Sequence, residues 1–297
     1  MAIIVLEKPR RTALAWTSLL ASRMRQLPLF PVAILALLLT TAIFAGYLAP
    51  HSPTRGEVRK SLTPPSWMEG GTRDHILGTD RLGRDVFSRV IHGTRPSLIV
   101  SVMAIVVAGS IGTAVGLIAG YKRGWADILL MRLTDIALSL PLILIAVVMA
   151  VVTEPSLRNI IIILGVLLWP RYARQVRGET LAVKEQDFVA RSIVAGRSGF
   201  GICMHHILPN VMPSLLVIST LQVGYVILLE GTLSFLGVGV PPPQPAWGLM
   251  IAEGRGQLAT AWWTVLFPGL AMLLVVLSVN LFGDWLRDKL DPKLRQL

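Results

Sequence analysis

Long apolar runs divided by short basic segments constrain this chain more than any other feature. Residues 29–49 end at Pro50, residues 97–121 carry no charge, and residues 263–282 are again uncharged. Residues 133–152 contain a single acid, Asp135, and residues 211–236 contain Glu230. About 20 apolar residues suffice for a helix to cross a bilayer. A sixth stretch, 159–169, is short; it reaches span length only if its helix starts near Ser156 or runs through Pro170 toward Arg171. In hydrocarbon each backbone N–H and C=O must be satisfied within the protein, which leaves helices as the fold for such runs. The expected fold class is an all-α integral membrane protein with six transmembrane helices. The first run exceeds the roughly 7–15 residues of a signal-peptide core and lacks a small-residue cleavage site, so it reads as a retained span.

Charge is sparse and segregated. Hydrophobic residues make up 53% of the 297 and charged residues 15%, against about a quarter charged in soluble domains. The net charge of +11 would suggest nucleic acid in a soluble protein. In a membrane protein, basic loops instead hold one face against anionic lipid. No nucleic-acid partner is expected; membrane lipid is. Bases crowd the N-terminal tail, residues 122–132, residues 171–197 and the C-terminal tail, whereas the two later loops of the other face hold only Arg158 and Arg255. This distribution predicts both termini on the cytoplasmic side of a multi-pass protein. The first outer loop, 50–96, opposes the rule with eight bases, but long loops translocate with less regard to charge. The segments are then a tail over 1–28, a first helix with its outer loop over 29–96, a core over 97–286 and a tail over 287–297. Within the first tail, residues 10–27 have the spacing of an amphipathic helix lying on the inner leaflet.

Several chemistries are excluded. No lysine follows a glycine, so the phosphate-cradling GxxxxGK[ST] loop is absent and the chain is not expected to hydrolyse ATP. No HExxH occurs, and His205 and His206 are neighbours rather than partners on one helical face, so no metal site and no catalytic residues are expected. Cys203 is the sole cysteine, which rules out an intrachain disulfide.

Three features inside the spans need a reason. Gly112, Gly116 and Gly120 share one helical face at four-residue spacing, which permits close backbone approach. That face either borders a pathway or packs within the bundle. Asp135 lies one turn beyond Arg132, so a helix-end ion pair would explain it. Glu230 has no local basic neighbour. It reads either as a gate, substrate or proton site, or as a group that reaches water or caps the next turn.

Between two apolar runs lies DFVARSIVAGRSGFGICMHHILPN, residues 187–210. Its spacing resembles the cytoplasmic coupling loop of ATP-binding-cassette (ABC) importer permeases. There a first short helix ends at a glycine and a second leads into a His-Ile-Leu-Pro-Asn close. The stretches LGTDRLGRDVFSRVIHGTRPSL (77–98), LTDIALSLPL (133–142), EGTLSFLGVG (230–239), PAWGLMIAEG (245–254) and NLFGDWLRDKLDPKLR (280–295) extend the resemblance. It is to C-type permeases of the dipeptide, oligopeptide and nickel importer family. The resemblance implies a type I importer permease fold and a coupling loop over 184–210. That loop would use Asp187, Phe188, Val189, Arg191, Gly196, Ser198, His206, Pro209 and Asn210. It also implies a second homologous permease, two ATPase subunits that bind ATP and Mg, and an extracytoplasmic substrate-binding protein, with no cofactor on this chain. Short peptides are the implied cargo, and relatives moving nickel chelates, opines, glutathione or sugars leave the choice open. The family's usual acid and two alanines are replaced by Ala190, Arg191 and Ser192, so no acidic contact transfers to Ala190. Readings from other classes are a proton-coupled secondary transporter relaying through Glu230 or Asp135, and a membrane scaffold.

Overall fold

The computed structural model describes residues 28–290; the expected amphipathic helix over 10–27 lies outside them. The described residues contain helices and loops, with one isolated β-bridge between Thr79 and Asp85 and no β-strand. We number the helices α1 (Leu29–Leu48), α2 (Val86–Lys122), α3 (Gly124–Ser139), α4 (Leu142–Val152), α5 (Leu157–Lys184), α6 (Asp187–Val194), α7 (Gly199–Phe235), α8 (Trp247–Gly254) and α9 (Trp263–Leu290).

Four helices, α1, α2, α7 and α9, are long and apolar enough to cross a membrane. The expected third span is instead broken. Its halves α3 and α4 meet at 86°, because Pro141 lacks an N–H and drives Leu140 to an extended conformation (φ −84°, ψ 138°). The expected fourth span is α5, which uses both of its extensions. It begins after Ser156, whose side chain accepts from Asn159 N, and runs through Pro170 to Lys184. At 28 residues it is about 42 Å long. Only the stretch 160–169 is uniformly apolar, with Arg158 and Asn159 before it and Arg171, Arg174 and Arg177 after it, so this helix is not among those long and apolar enough to cross a membrane.

The second span starts eleven residues before the expected Ser97, at Val86, where Asp85 accepts from Ser88 N at 2.8 Å and caps the helix. This polar beginning is helical because the ordered segment before it, residues 50–85, surrounds it. Arg84 donates to Asp80 (2.6 Å) and Glu253 (2.7 Å), and Arg89 donates to the same two acids. The side chains of both arginines are almost wholly buried, 4% and 1% exposed, so each charge has to be balanced inside the protein. Trp247 and Trp263 donate from Nε1 to Val90 O and Thr79 O, which fastens α8 and α9 to this segment. Arg95 donates to Ala42 O and Ile43 O, two carbonyls near the end of α1.

The core is a pair of clusters. One fills the space between α2, α5 and α7 around Leu164, Leu168, Tyr172 and Val226; the other joins α2, α7, α8 and α9 around Ile227, Trp247 and Val275. α2 and α5 pack along the glycine face. A Cβ on Gly116 would stand 2.7 Å from Ala173 O, and one on Gly120 would stand 2.7 Å from Thr180 Cβ. Gly112, Gly116 and Gly120 therefore lie in a seam between two helices of this chain. Outward surfaces stay apolar: α1 buries only Pro31 and Ala45, as expected of a helix facing lipid.

Candidate functional site: an elbow between two spans

The segment 187–210 folds as a helical elbow. α6 ends in a Schellman motif, with Gly196 N donating to Ile193 O (2.9 Å) and Arg197 N to Ser192 O (3.1 Å). Gly196 takes φ +75°, the left-handed conformation that this closure demands. Ser198 then caps the next helix by accepting from Gly201 N at 3.2 Å. This second helix does not stop before the membrane. It continues into the expected fifth span as one rod, Gly199–Phe235. A π-turn over Cys203–Ile207 lies just before Pro209, whose ring cannot fit the regular ladder.

His206 organises the inside of the elbow. Its Nε2 lies 3.1 Å from Ser192 Oγ and 3.0 Å from Arg197 Nη1, its ring centroid is 6.1 Å from that of Phe188, and its carbonyl accepts from Asn210 Nδ2 at 2.6 Å. Val189 is buried, while Asp187, Arg191, Gly196, Ser198, Pro209 and Asn210 are exposed. Exposed apolar side chains flank them: Ile193, Val194 (89% exposed) and Phe200 (76%). Lys184 Nζ donates to Tyr121 O at 2.6 Å, anchoring the elbow to the end of α2. Tyr121 was not among the expected site residues; it lies 63 positions from Lys184, beyond any local pattern.

Each of the two acids inside the spans has a partner distant in sequence. Asp135 accepts from Arg174 of α5 at 2.8 Å, not from Arg132 as its spacing suggests. Glu230 does not reach water; it is 1% exposed and accepts from Ser234 Oγ (2.7 Å) and Ser97 Oγ (3.3 Å). Ser234 Oγ in turn accepts from Val240 N at 3.2 Å, so Glu230 supports the turn after α7 through an intermediary. A third pair joins residues 50 positions apart: Arg177 donates twice to Asp127, at 2.5 and 2.6 Å, holding the start of α3 against α5.

Among the described residues one group has ligand atoms close enough for a metal ion, His51, His75 and Asp85, all within 4.8 Å of one another. Asp85 already serves Ser88 N and His75 Nδ1 (3.0 Å), which suffices to explain the cluster as part of the α2 cap. A cavity of about 450 Å³ opens between α5, α7 and α9, lined by Gln175, Asn210, Ser214, Ile218 and Arg287 among others.

A bundle of long apolar helices with a helical elbow outside the spans defines a membrane permease subunit. Residues 112–296 match the family described as binding-protein-dependent transport system inner membrane component, and the chain belongs to that family. It is a multi-pass membrane protein and the permease subunit of an ABC importer. It is 43% identical over 259 residues to the di/tripeptide transport system permease protein DppC of Pseudomonas aeruginosa (strain UCBPP-PA14), covering 87% of this chain and 86% of the relative. It is 38% identical to the glutathione transport system permease protein GsiD of Pectobacterium atrosepticum, covering 87% and 84%. An inward-facing structure of the MetNI methionine ABC transporter superposes with a TM-score of 0.57 at 17% identity. It covers 69% of this chain and 97% of that chain and shares the fold.

Proposed function

We propose that this subunit forms half of a translocation path for short peptides and that its elbow takes up movement from separate ATPase subunits. The observation that carries the reading is the elbow itself: a Schellman-closed short helix with exposed Ile193 and Val194, joined by a tight corner at Gly196 to α7, which runs on into a span. A force on α6 is thereby delivered to a rod that reaches the far side of the membrane. Rigid-body rocking of two permeases about a central site is alternating access. A second permease, two ATPases holding ATP and Mg, and an external binding protein would complete the machine, with no cofactor or ATP hydrolysis on this chain. Di- and tripeptides are favoured as cargo by the names of the relatives above. Burial of Glu230 between two serines argues against a proton relay there.

Purified alone, the chain should show no ATP turnover; with its partners, ATP-driven uptake of a labelled dipeptide should appear and should survive an uncoupler. Uptake that tracks the proton gradient and ignores ATP would overturn the assignment. For orientation, a cytoplasm-dependent reporter should work after Arg197 and fail after Gly70 or Gln257.

A further inference from the structure

An arginine well inside the helix bundle, the first of the bases that follow the apolar stretch of α5, asks for a function more insistently than any other group in this chain. Arg171 lies 14 residues from Leu157, the start of α5, and Gln222 lies 13 residues from Phe235, the end of α7. At 1.5 Å per residue both stand about 20 Å below that end of the bundle, about two thirds of the way through a hydrocarbon core about 30 Å thick. Charges at such depth face protein or water-filled space and mark substrate pathways. Arg171 is exposed on this chain, so its counter-charge is not supplied by its own fold.

The surroundings hold the guanidinium in a fixed pose. Its carbon lies 4.4 Å over the centroid of the Tyr225 ring, and Nη1 donates to Gln222 Oε1 at 3.3 Å. These contacts fix one face and one corner and leave further N–H groups along the guanidinium edge. Gln222 is 7% exposed, and its Nε2 has no hydrogen-bond partner among the described residues. A buried donor without an acceptor is costly, and native structures keep few of them. The cavity between α5, α7 and α9 begins one turn away, at Gln175 (four residues past Arg171) and Ile218 (four before Gln222), and continues to Arg287 and Leu290 at the end of α9.

We infer that Arg171 and Gln222 form a carboxylate-binding station on the translocation path, with the C-terminal carboxylate of the peptide as ligand. A carboxylate is acceptor-only and offers two oxygens, one for the Arg171 edge and one for Gln222 Nε2. An amine would meet two donors and be rejected. The identity of the ligand rests on the peptide reading above; the station itself does not.

The test uses the assembled transporter reconstituted in liposomes, with phenylglyoxal as an arginine reagent and peptide mass spectrometry as readout. Dialanine and acetate should slow labelling of Arg171, while dialaninamide at the same concentration should not. Arg171→Gln should lower dialanine uptake roughly 10- to 100-fold, the range for losing hydrogen bonds to a charged group, with Arg171→Lys recovering part of it. Labelling unaffected by either carboxylate, or wild-type dialanine uptake by Arg171→Gln, overturns the inference. Protection by acetate in a transporter that moves no dipeptide would uphold the station and remove the peptide reading. Should Arg171→Gln fail to assemble, the labelling of the unaltered transporter still decides.

Discussion

A Cβ on Gly112 would stand 2.4 Å from the Cβ of Tyr172 and 2.5 Å from the carbonyl oxygen of Trp169. No side chain can occupy that space without moving α2 off α5, because one of the two obstacles is backbone. Tyr172 is itself fully buried in the main core cluster, so the displacement would spread through the interior. Gly112→Ala should therefore destabilise the chain by about 1–3 kcal/mol, the usual cost of overpacking. Gly109→Ala is the control, since its Cβ would meet nothing closer than 3.7 Å. Thermal aggregation in detergent should fall several degrees for the first variant and stay put for the second.

The Asp127–Arg177 pair ties α3 to α5 across 50 residues. Two charge-assisted bonds in near-parallel geometry are stronger than neutral ones, though Arg177 is a third exposed and solvent screens part of the gain. Asp127→Asn should cost about 1 kcal/mol. The reversed pair Asp127→Arg with Arg177→Asp should recover more than half of what either single change loses. A double-mutant cycle of melting midpoints measures this, and additive losses would show that the two side chains do not interact.

Which features were legible in the sequence follows from how far apart the partners lie. The runs at 29–49, 211–236 and 263–282 became helices because apolar length alone decides that in hydrocarbon. The elbow was legible because Gly196, Ser198 and the His206–Asn210 close act on neighbours within 14 residues. Asp135 was misread because Arg132 was near in sequence while Arg174 was near in space, 39 residues on. For Glu230 the support of the next turn, through Ser234 four residues on, is one of the alternatives the sequence offers, while the Ser97 partner lies 133 residues away and leaves no local signal. The polar start of α2 falls in the stretch 50–96 that lies between the apolar runs and so reads as loop, whereas Arg84 and Arg89 are buried against Asp80 and Glu253. The break at Leu140–Pro141 was signalled by the proline but masked by continuous hydrophobicity on both sides.

Glu230 offers a test of what a buried acid does here. Its two oxygens accept from Ser234 and Ser97. Glutamine keeps one acceptor oxygen in place, so Glu230→Gln should fold and retain uptake within a few-fold. Glu230→Ala strands both hydroxyls and should cost about 1–3 kcal/mol per unsatisfied group. Uptake and melting temperature are measured together. Loss of uptake in a stable Glu230→Gln protein would point to a proton or substrate role instead.

Gly196 separates backbone conformation from docking. Its φ of +75° disfavours ordinary side chains by roughly 1–2 kcal/mol, with asparagine and aspartate the least affected. A Cβ added there meets nothing within 4 Å, so the chain itself offers no steric objection. The residue is exposed at the tip of the elbow, where a docked ATPase subunit would face it. Gly196→Asn should then preserve the elbow and much of the uptake. Gly196→Val should distort the Schellman closure and lower uptake. Gly196→Asp should keep the conformation yet place an acid on the docking surface, abolishing uptake while membrane insertion remains normal. Ala190→Glu, on α6 itself, should be tolerated. Co-purification of the ATPases with each variant, set beside uptake in cells, distinguishes the cases. Normal docking and uptake in Gly196→Asp would remove the elbow from the coupling path.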